Sequence, residues 1–298
     1  MKLSLKPLAQ QTIVLTGATS GIGLVTARRA AQAGARLVLA ARSEDALRTL
    51  TEEITAAGGT ATYTVVDVSQ EADVRRLAQT ALDAYGGFDT WINNAGVSMY
   101  GKLEDQPLAD MRHLFETNVW GVVVGSLEAA KHLKNKGGAI INVGSILSES
   151  TAILQSIYSA SKHAVKGFTD GLRMELSMDE APVSVTLIKP AAIDTPYTLH
   201  AKNYMDREPK HAPPAYAPEL VADAILHCCA TPMPKVTVGG GGRMITWLAR
   251  HTPRLFEQFM ETVFAKQEKS DHPARPLHDN GLDRAAGPLV TGRNSSTG

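Results

Sequence analysis

Apolar residues in this chain gather in short continuous runs, and between the runs they recur at helical spacing. QTIVLT at 11–16, RLVLAA at 36–41 and SVTLIK at 184–189 are runs of the first kind, rich in β-branched residues and leucine. The full pattern predicts strands at about 11–16, 36–41, 61–66, 88–92, 138–144, 183–189 and 234–238. It predicts helices at about 21–33, 43–57, 70–85, 107–134, 156–180 and 217–230. Strands that are apolar throughout, alternating with helices, imply a parallel sheet covered on both faces. Right-handed crossovers make it a doubly wound α/β sheet of seven strands, with ligands bound across the carboxyl ends of the strands. There is no internal repeat.

Two stretches fall outside this pattern. Residues 190–216 form a long connection carrying Pro196, Pro209, Pro213 and Pro214, as a lid or binding loop would. After four glycines, Gly239–Gly242, the residues Leu248, Leu255, Phe256, Phe259, Met260, Val263 and Phe264 recur at helical spacing. They predict an amphipathic helix over 243–264, docked on its own domain or on a second subunit, with contact to a membrane surface as the second reading. From about 266 the chain is rich in Pro, Gly, Ser and charge, a composition expected to stay disordered. The expected organisation is a domain over 1–238, a helical extension over 239–265 and a disordered tail over 266–298.

Composition narrows the function classes. The 298 residues carry 30 basic and 30 acidic side chains, so nothing argues for nucleic acid or an anionic membrane as partner. The two cysteines, Cys228 and Cys229, are adjacent in an expected helix and read as small helix residues in a reducing compartment. The nine histidines show no metal-ligand spacing, so no metal is expected. No run reaches the ~20 apolar residues of a membrane helix, and the N-terminus has no apolar core of a signal peptide, which makes the expected location cytoplasmic.

Two constellations carry chemistry. The first strand runs into Thr16-Gly17-Ala18-Thr19-Ser20-Gly21-Ile22-Gly23 and then into a helix. A strand, a glycine turn and a helix N-terminus make a phosphate cradle, because the unpaired N–H groups and the helix dipole attract anions. The second constellation is Tyr158 with Lys162, four residues apart on one helix face, and Ser145 at a strand end. A nearby cation lowers the pKa of a phenol, and a hydroxyl brought beside it could orient a carbonyl for proton transfer.

Together these motifs resemble the short-chain dehydrogenase/reductase family, of the shorter single-domain type, over about residues 8–238. Thr16-Gly17-x3-Gly21-x-Gly23 is similar to its cofactor turn, and Asn93-Asn94-Ala95-Gly96 to its Asn-Asn-Ala-Gly signature. Asp67-Val68 stands where the family contacts adenine, and Pro190 to Thr195 resembles the stretch near the nicotinamide. Asn118, Ser145, Tyr158 and Lys162 match the family's catalytic tetrad. The resemblance implies a Rossmann-type sheet and hydride transfer between a nicotinamide cofactor and a small-molecule carbonyl or secondary alcohol. In that reading Tyr158 is the general acid/base, Lys162 lowers its pKa and meets the nicotinamide ribose, Ser145 polarises the carbonyl, and Asn118 holds a water linking Lys162 to solvent. Implied cofactor contacts are Gly17, Ser20, Gly21, Ile22, Gly23, Asp67, Val68, Asn94, Ala95, Gly96, Tyr158, Lys162, Pro190, Ile193 and Thr195. The resemblance also implies a homodimer or homotetramer built on the two long central helices.

The nucleotide is read at the end of the second strand. NAD sites place an acid there to bind the ribose hydroxyls. This chain has Ala41 and then Arg42, whose planar fork suits a 2′-phosphate. NADP(H) is therefore the expected cofactor, with NAD(H) as the alternative. The other readings are an NAD-dependent alcohol or steroid dehydrogenase, and an NADP(H)-sensing binding protein without turnover. The substrate itself is not legible.

Overall fold

The computed structural model describes residues 3–211, 213–264, 269–277, 280–285 and 287–292. Its strands, in chain order, are β1 (Thr12–Thr16), β2 (Arg36–Ala41), β3 (Thr60–Val65), β4 (Thr90–Asn93), the short β5 (Met99–Tyr100), β6 (Gly138–Val143), β7 (Val183–Pro190), the short β8 (Lys202–Asn203) and β9 (Arg207–Pro209), β10 (Lys235–Val238) and β11 (Lys269–Pro273). The helices are α1 (Gly21–Gln32), α2 (Glu44–Ala56), α3 (Glu71–Tyr85), α4 (Leu108–Phe115), α5 (Gly121–Leu133), α6 (Ser156–Met178), α7 (Tyr197–His200), α8 (Pro218–Ala230), α9 (Gly240–His251) and α10 (Pro253–Phe259).

Seven strands form one sheet in the order β10-β7-β6-β4-β1-β2-β3, and every pairing is parallel. Every residue of β1, β4 and β7 is buried, which is why these strands read as unbroken apolar runs rather than alternating ones. One face is closed by Leu24 of α1, Leu47 and Leu50 of α2, and Val221 and Ile225 of α8. The other is closed by Val74 and Leu77 of α3, Ala129 and Leu133 of α5, and Leu172 and Leu176 of α6. Strand order reverses between β1 and β4, so the crevice at their carboxyl ends is where such a sheet binds ligands. Cys228 and Cys229 are unpaired and buried in the first of these cores. Among the described residues no helix is long and apolar enough to cross a membrane.

The outlying segments differ from expectation. The helix expected over 107–134 contains a π-helical turn, Glu116–Trp120, between α4 and α5. The 190–216 connection is not a bare loop. It holds α7, pairs β8 with β5, and pairs β9 with β11. The single helix expected over 243–264 is divided at Pro253, which has no N–H to continue a helix, into α9 and α10, followed by a π-helical turn over Met260–Phe264. Leu248, Phe256 and Met260 of its stripe pack in one cluster with Met99, Ile146, Leu147 and Tyr158, so the extension docks on its own domain beside the strand-end crevice. The side chains of Phe259, Val263 and Phe264 lie outside the described set.

The tail expected to be disordered departs furthest. β11 runs antiparallel to β9, Arg275 pairs with Glu208 at 2.8 Å, and Leu282 is fully buried in the cluster containing Tyr158. A polar composition leaves little apolar surface to bury, but here ion pairs, main-chain hydrogen bonds and one leucine anchor act together. Residues 266–268, 278, 279, 286 and 293–298, which the same expectation covered, lie outside the described residues.

Candidate functional site

The glycine turn has the geometry an anion cradle needs. Gly17 and Gly21 have φ of 66° and 50°, where a side chain is strained. A Cβ on Gly23 would lie 2.0 Å from the Gly17 carbonyl oxygen, so no larger residue fits there. Ser20 precedes α1 without a side-chain cap, and the first turn carries no acid. The helix start is thus left to main-chain N–H donors and positive dipole. Asn94 fastens the turn from across the sheet, its Nδ2 donating to the carbonyls of Thr16 (3.1 Å) and Gly17 (3.0 Å). Thr16 Oγ1 accepts from the N–H groups of Asn94 (3.0 Å) and Ala95 (3.2 Å). Thr16 thereby joins the ends of β1 and β4, a role its place in the motif did not reveal.

A cavity of about 210 Å³ opens over this turn. Gly17, Ser20, Gly21, Ile22, Gly23, Arg42, Asp67, Val68, Asn94, Ala95, Gly96 and Thr195 all line it. Arg42 is not free within it. Its guanidinium donates to the carbonyls of Gly281, Leu282 (3.3 Å) and Arg284 (2.7 Å) in the tail. Burial lowers its pKa, against the opposing charges of Asp67 and Asp283.

A second cavity of about 190 Å³ continues from the first, sharing Ile22, Asn94, Gly96, Thr195 and Tyr197 with it. Ser145, Tyr158, Lys162, Pro190 and Ile193 line it. Ser145 lies two residues past β6 and caps a 3-10 turn, where its Oγ accepts from the Leu147 N–H at 3.1 Å. Behind it runs a buried polar chain. Trp91 Nε1 donates to Asn93 Oδ1 (2.7 Å), Asn93 Nδ2 to Asn142 Oδ1 (2.8 Å), and Asn142 Nδ2 to Thr169 Oγ1 (3.0 Å). These bonds lock β4, β6 and α6 together, and so set the placement of Asn94, Ser145 and Tyr158 relative to one another. The first asparagine of Asn-Asn-Ala-Gly thus holds the frame while the second touches the groove.

The expected charge effect on the phenol is not what the structure shows. Burial pushes the Tyr158 pKa up to about 12, and hydrogen bonds with Tyr197 and Ser145 oppose this only in part. Lys162 does not reverse the shift. Its Nζ sits over the ring face, 5.6 Å from the centroid, and donates to the Val143 carbonyl at 3.0 Å. Burial likewise depresses Lys162, to about 8. Asn118 is fully buried in the π-helical turn and lines neither cavity. Its Oδ1 accepts from the Val97 N–H (2.8 Å), and its Nδ2 donates to the Val97 carbonyl (2.9 Å) and Ser161 Oγ (3.2 Å).

The Lys162 shift has a consequence for stability. A depressed folded pKa contributes stability that is present above the unfolded value, near 10.5, and is lost as pH falls through about 8. Lys162→Met cannot titrate, so the melting-temperature difference, variant minus wild type, should shrink as pH rises from about 7 to about 10. Calorimetric scans of both proteins check this, and a difference constant across that span would show that Lys162 does not titrate there.

The arrangement pairs an anion cradle with a buried phenol, ammonium and hydroxyl along one groove. A family model described as short chain dehydrogenase matches residues 11–205 of this chain. The chain belongs to the short-chain dehydrogenase/reductase family. It is 45% identical over 284 residues to an uncharacterized oxidoreductase, YxnA, of Bacillus subtilis (strain 168), covering 94% of this chain and 80% of that protein. It is 32% identical over 277 residues to dehydrogenase/reductase SDR family member 7B of Xenopus tropicalis, with 88% of each chain covered. Among solved structures, a short chain dehydrogenase/reductase from Burkholderia phymatum in complex with NAD superposes with a TM-score of 0.71 at 25% identity, over 91% of this chain and all (100%) of that one. An alcohol dehydrogenase from Thermococcus sibiricus complexed with 5-hydroxy-NADP shares the fold, with a TM-score of 0.68 at 24% identity, over 76% of this chain and 95% of that one.

This short-chain dehydrogenase/reductase has site residues that sequence reasoning missed. Tyr197, at the start of α7, sets its ring edge-on to Tyr158 with centroids 5.5 Å apart, and donates to Gln155 Oε1 at 3.0 Å. Gln155, Tyr100 and His211 line the same cavity. The proline-bearing 190–216 connection pointed towards Tyr197 and His211, and the stretch after Gly96 towards Tyr100; nothing in the sequence marked Gln155. Among the described residues, no three His, Cys, Asp or Glu side chains gather as a metal site would require.

Proposed function

We propose that this oxidoreductase transfers hydride between NADP(H) and a carbonyl or secondary alcohol, with Tyr158 as general acid/base. The observation that carries the reading is the continuity of the two cavities, phosphate cradle at one end and Tyr158 with Ser145 at the other. Gly17 and Gly23 let the turn pack tightly, since a Cβ at either would collide with the Ala95 main chain or the Gly17 carbonyl, and a tight glycine turn of this kind suits a pyrophosphate. A bound nicotinamide supplies or accepts the hydride.

The chain's own residues do the rest. Ser145 Oγ orients the substrate oxygen, and Tyr158 Oη gives its proton to the oxygen as it becomes an alkoxide. With its pKa raised to about 12, Tyr158 holds that proton at neutral pH, as an acid for reduction must. Lys162 adds positive charge beside the phenol, and Asn118 positions the Val97 loop against α6. Ala41 in place of an acid, followed by Arg42, supports the 2′-phosphate nucleotide. The substrate cavity, with Ile146, Leu147, Tyr100 and Ile193 beside Gln155 and His211, suits a largely apolar carbonyl compound.

The test is a panel of aldehydes, ketones and their alcohols with each nicotinamide cofactor, followed by absorbance. Turnover with NADPH on members of the panel is expected. Binding of nucleotide with no oxidation or reduction across the panel would favour the sensing protein instead.

Assembly as a homodimer or homotetramer is part of the same proposal. Trp120 and Leu127 by α5, and Met174 and Met178 on α6, are large apolar side chains 45–78% exposed. Large apolar side chains on these helices are better covered than left in water. Light scattering after gel filtration should give a multiple of the 31.8 kDa chain mass, and a monomer at micromolar concentration would refute it.

A further inference from the structure

Donors that a dinucleotide's phosphates would use are already occupied by the C-terminal segment. A guanidinium grips a phosphate bidentately through Nε and Nη2, or through Nη1 and Nη2. Nη2 belongs to both faces. In Arg42, Nη2 donates to the carbonyls of both Gly281 and Arg284, so both of its hydrogens are committed, and Nη1 donates to Leu282. The N–H of Gly21, first residue of α1, donates to the Val290 carbonyl at 2.8 Å. Main-chain oxygens thus stand where phosphate oxygens would, at the fork and at the helix start.

Besides the burial of Leu282, the segment is held by a small set of polar contacts. Asn280 Oδ1 accepts from the N–H groups of Leu282 (2.8 Å) and Asp283 (3.0 Å), shaping the turn that aims these carbonyls at Arg42. Asp283 pairs with Lys202 at 2.9 Å, and Lys202 pairs also with Asp110. Gly281 lines the groove and donates to the His200 carbonyl at 2.6 Å.

We propose that residues 280–285 and 287–292 form a displaceable strap that competes with the phosphates of NADP(H) for Arg42 and the α1 N-terminus, and so sets the choice between NADPH and NADH. The inference rests on the dinucleotide reading above. NADH has no 2′-phosphate and leaves the Arg42 contacts in place. NADPH must break them before it can use the fork.

Isothermal titration of NADPH and NADH into the full-length protein and into full-length Asn280→Ala and Asp283→Ala tests this. Loosening the strap should tighten NADPH by about tenfold or more, the scale of one charge-assisted hydrogen bond, and change NADH less. The NADPH-to-NADH affinity ratio should therefore rise in both variants. In wild type, amide exchange over 280–285 and 287–292 should quicken when NADPH is bound, and less so with NADH. An unchanged ratio, or exchange slowed by NADPH, would overturn the strap, the second result showing a cover that closes over bound nucleotide. Should a variant fail to fold, the exchange experiment on wild type decides alone. Binding of neither nucleotide to any of these proteins would overturn the dinucleotide reading, and the strap with it.

Discussion

Replacing Tyr158 with phenylalanine is expected to lower turnover by roughly 10²–10⁴-fold, the range typical of a positioned general acid, while dinucleotide affinity and melting temperature stay close to wild type. The substitution removes one hydroxyl and keeps the ring that packs beside Tyr197 and Met99. It does not strand a partner, because the Tyr197 hydroxyl still donates to Gln155 and Ser145 still accepts from the Leu147 N–H. A tyrosine that served only packing would show the reverse, a change in stability with turnover intact. Steady-state kinetics on a validated carbonyl substrate, beside a thermal melt, separates the two, and wild-type turnover in the variant would remove Tyr158 from the chemistry.

Gly23→Ala is expected to abolish useful dinucleotide binding, with a loss of about hundredfold or more, equivalent to roughly 2.8 kcal/mol. The added Cβ would lie 2.0 Å from the Gly17 carbonyl oxygen and 2.6 Å from Asn94 Nδ2. One neighbour is main chain, and the other donates to the Thr16 and Gly17 carbonyls, so neither can move without reshaping the turn. Overpacking of this kind also costs about 1–3 kcal/mol of stability, so the melting temperature should fall. Calorimetric titration with both nucleotides at a temperature where the variant is folded checks the first part. Affinity within a few-fold of wild type would show that the turn does not carry the phosphates. Because the collision lies inside the turn, the loss should be the same for NADPH and NADH, in contrast to the strap variants, which should change NADPH more than NADH.

How much of this was legible beforehand depended on range along the chain. Strand and helix positions were readable because burial on both faces writes continuous apolar runs, as in β1 and β7. The places of Gly17, Gly21, Gly23, Ser145, Tyr158 and Lys162 along the groove were readable because they follow from local geometry, a turn at a strand end or a four-residue helical step. Asn118 was legible in position but not in its bonding. Its match to a tetrad said nothing of the Val97 main chain that engages both ends of its amide.

Cooperation across the chain was decided only in three dimensions. The Tyr158 pKa moved opposite to the expected direction because desolvation acts through everything packed around the phenol, and sequence spacing reports only the lysine. Tyr197 and His211 reach the substrate cavity through a connection whose path depends on β5, β8 and β9 pairing, and Gln155 reaches it from the start of α6. The tail looked featureless because its composition has few apolar residues, yet Leu282 finds a buried place and its neighbours' carbonyls find Arg42, some 240 positions earlier in the chain. The sequence by itself determined the doubly wound sheet and the placement of its chemistry at the strand ends, since both follow from the local periodicity of side chains. The tertiary structure alone decided the protonation preference of the site and the occupant of its arginine, since burial and main-chain hydrogen bonding depend on neighbours that are remote in the chain.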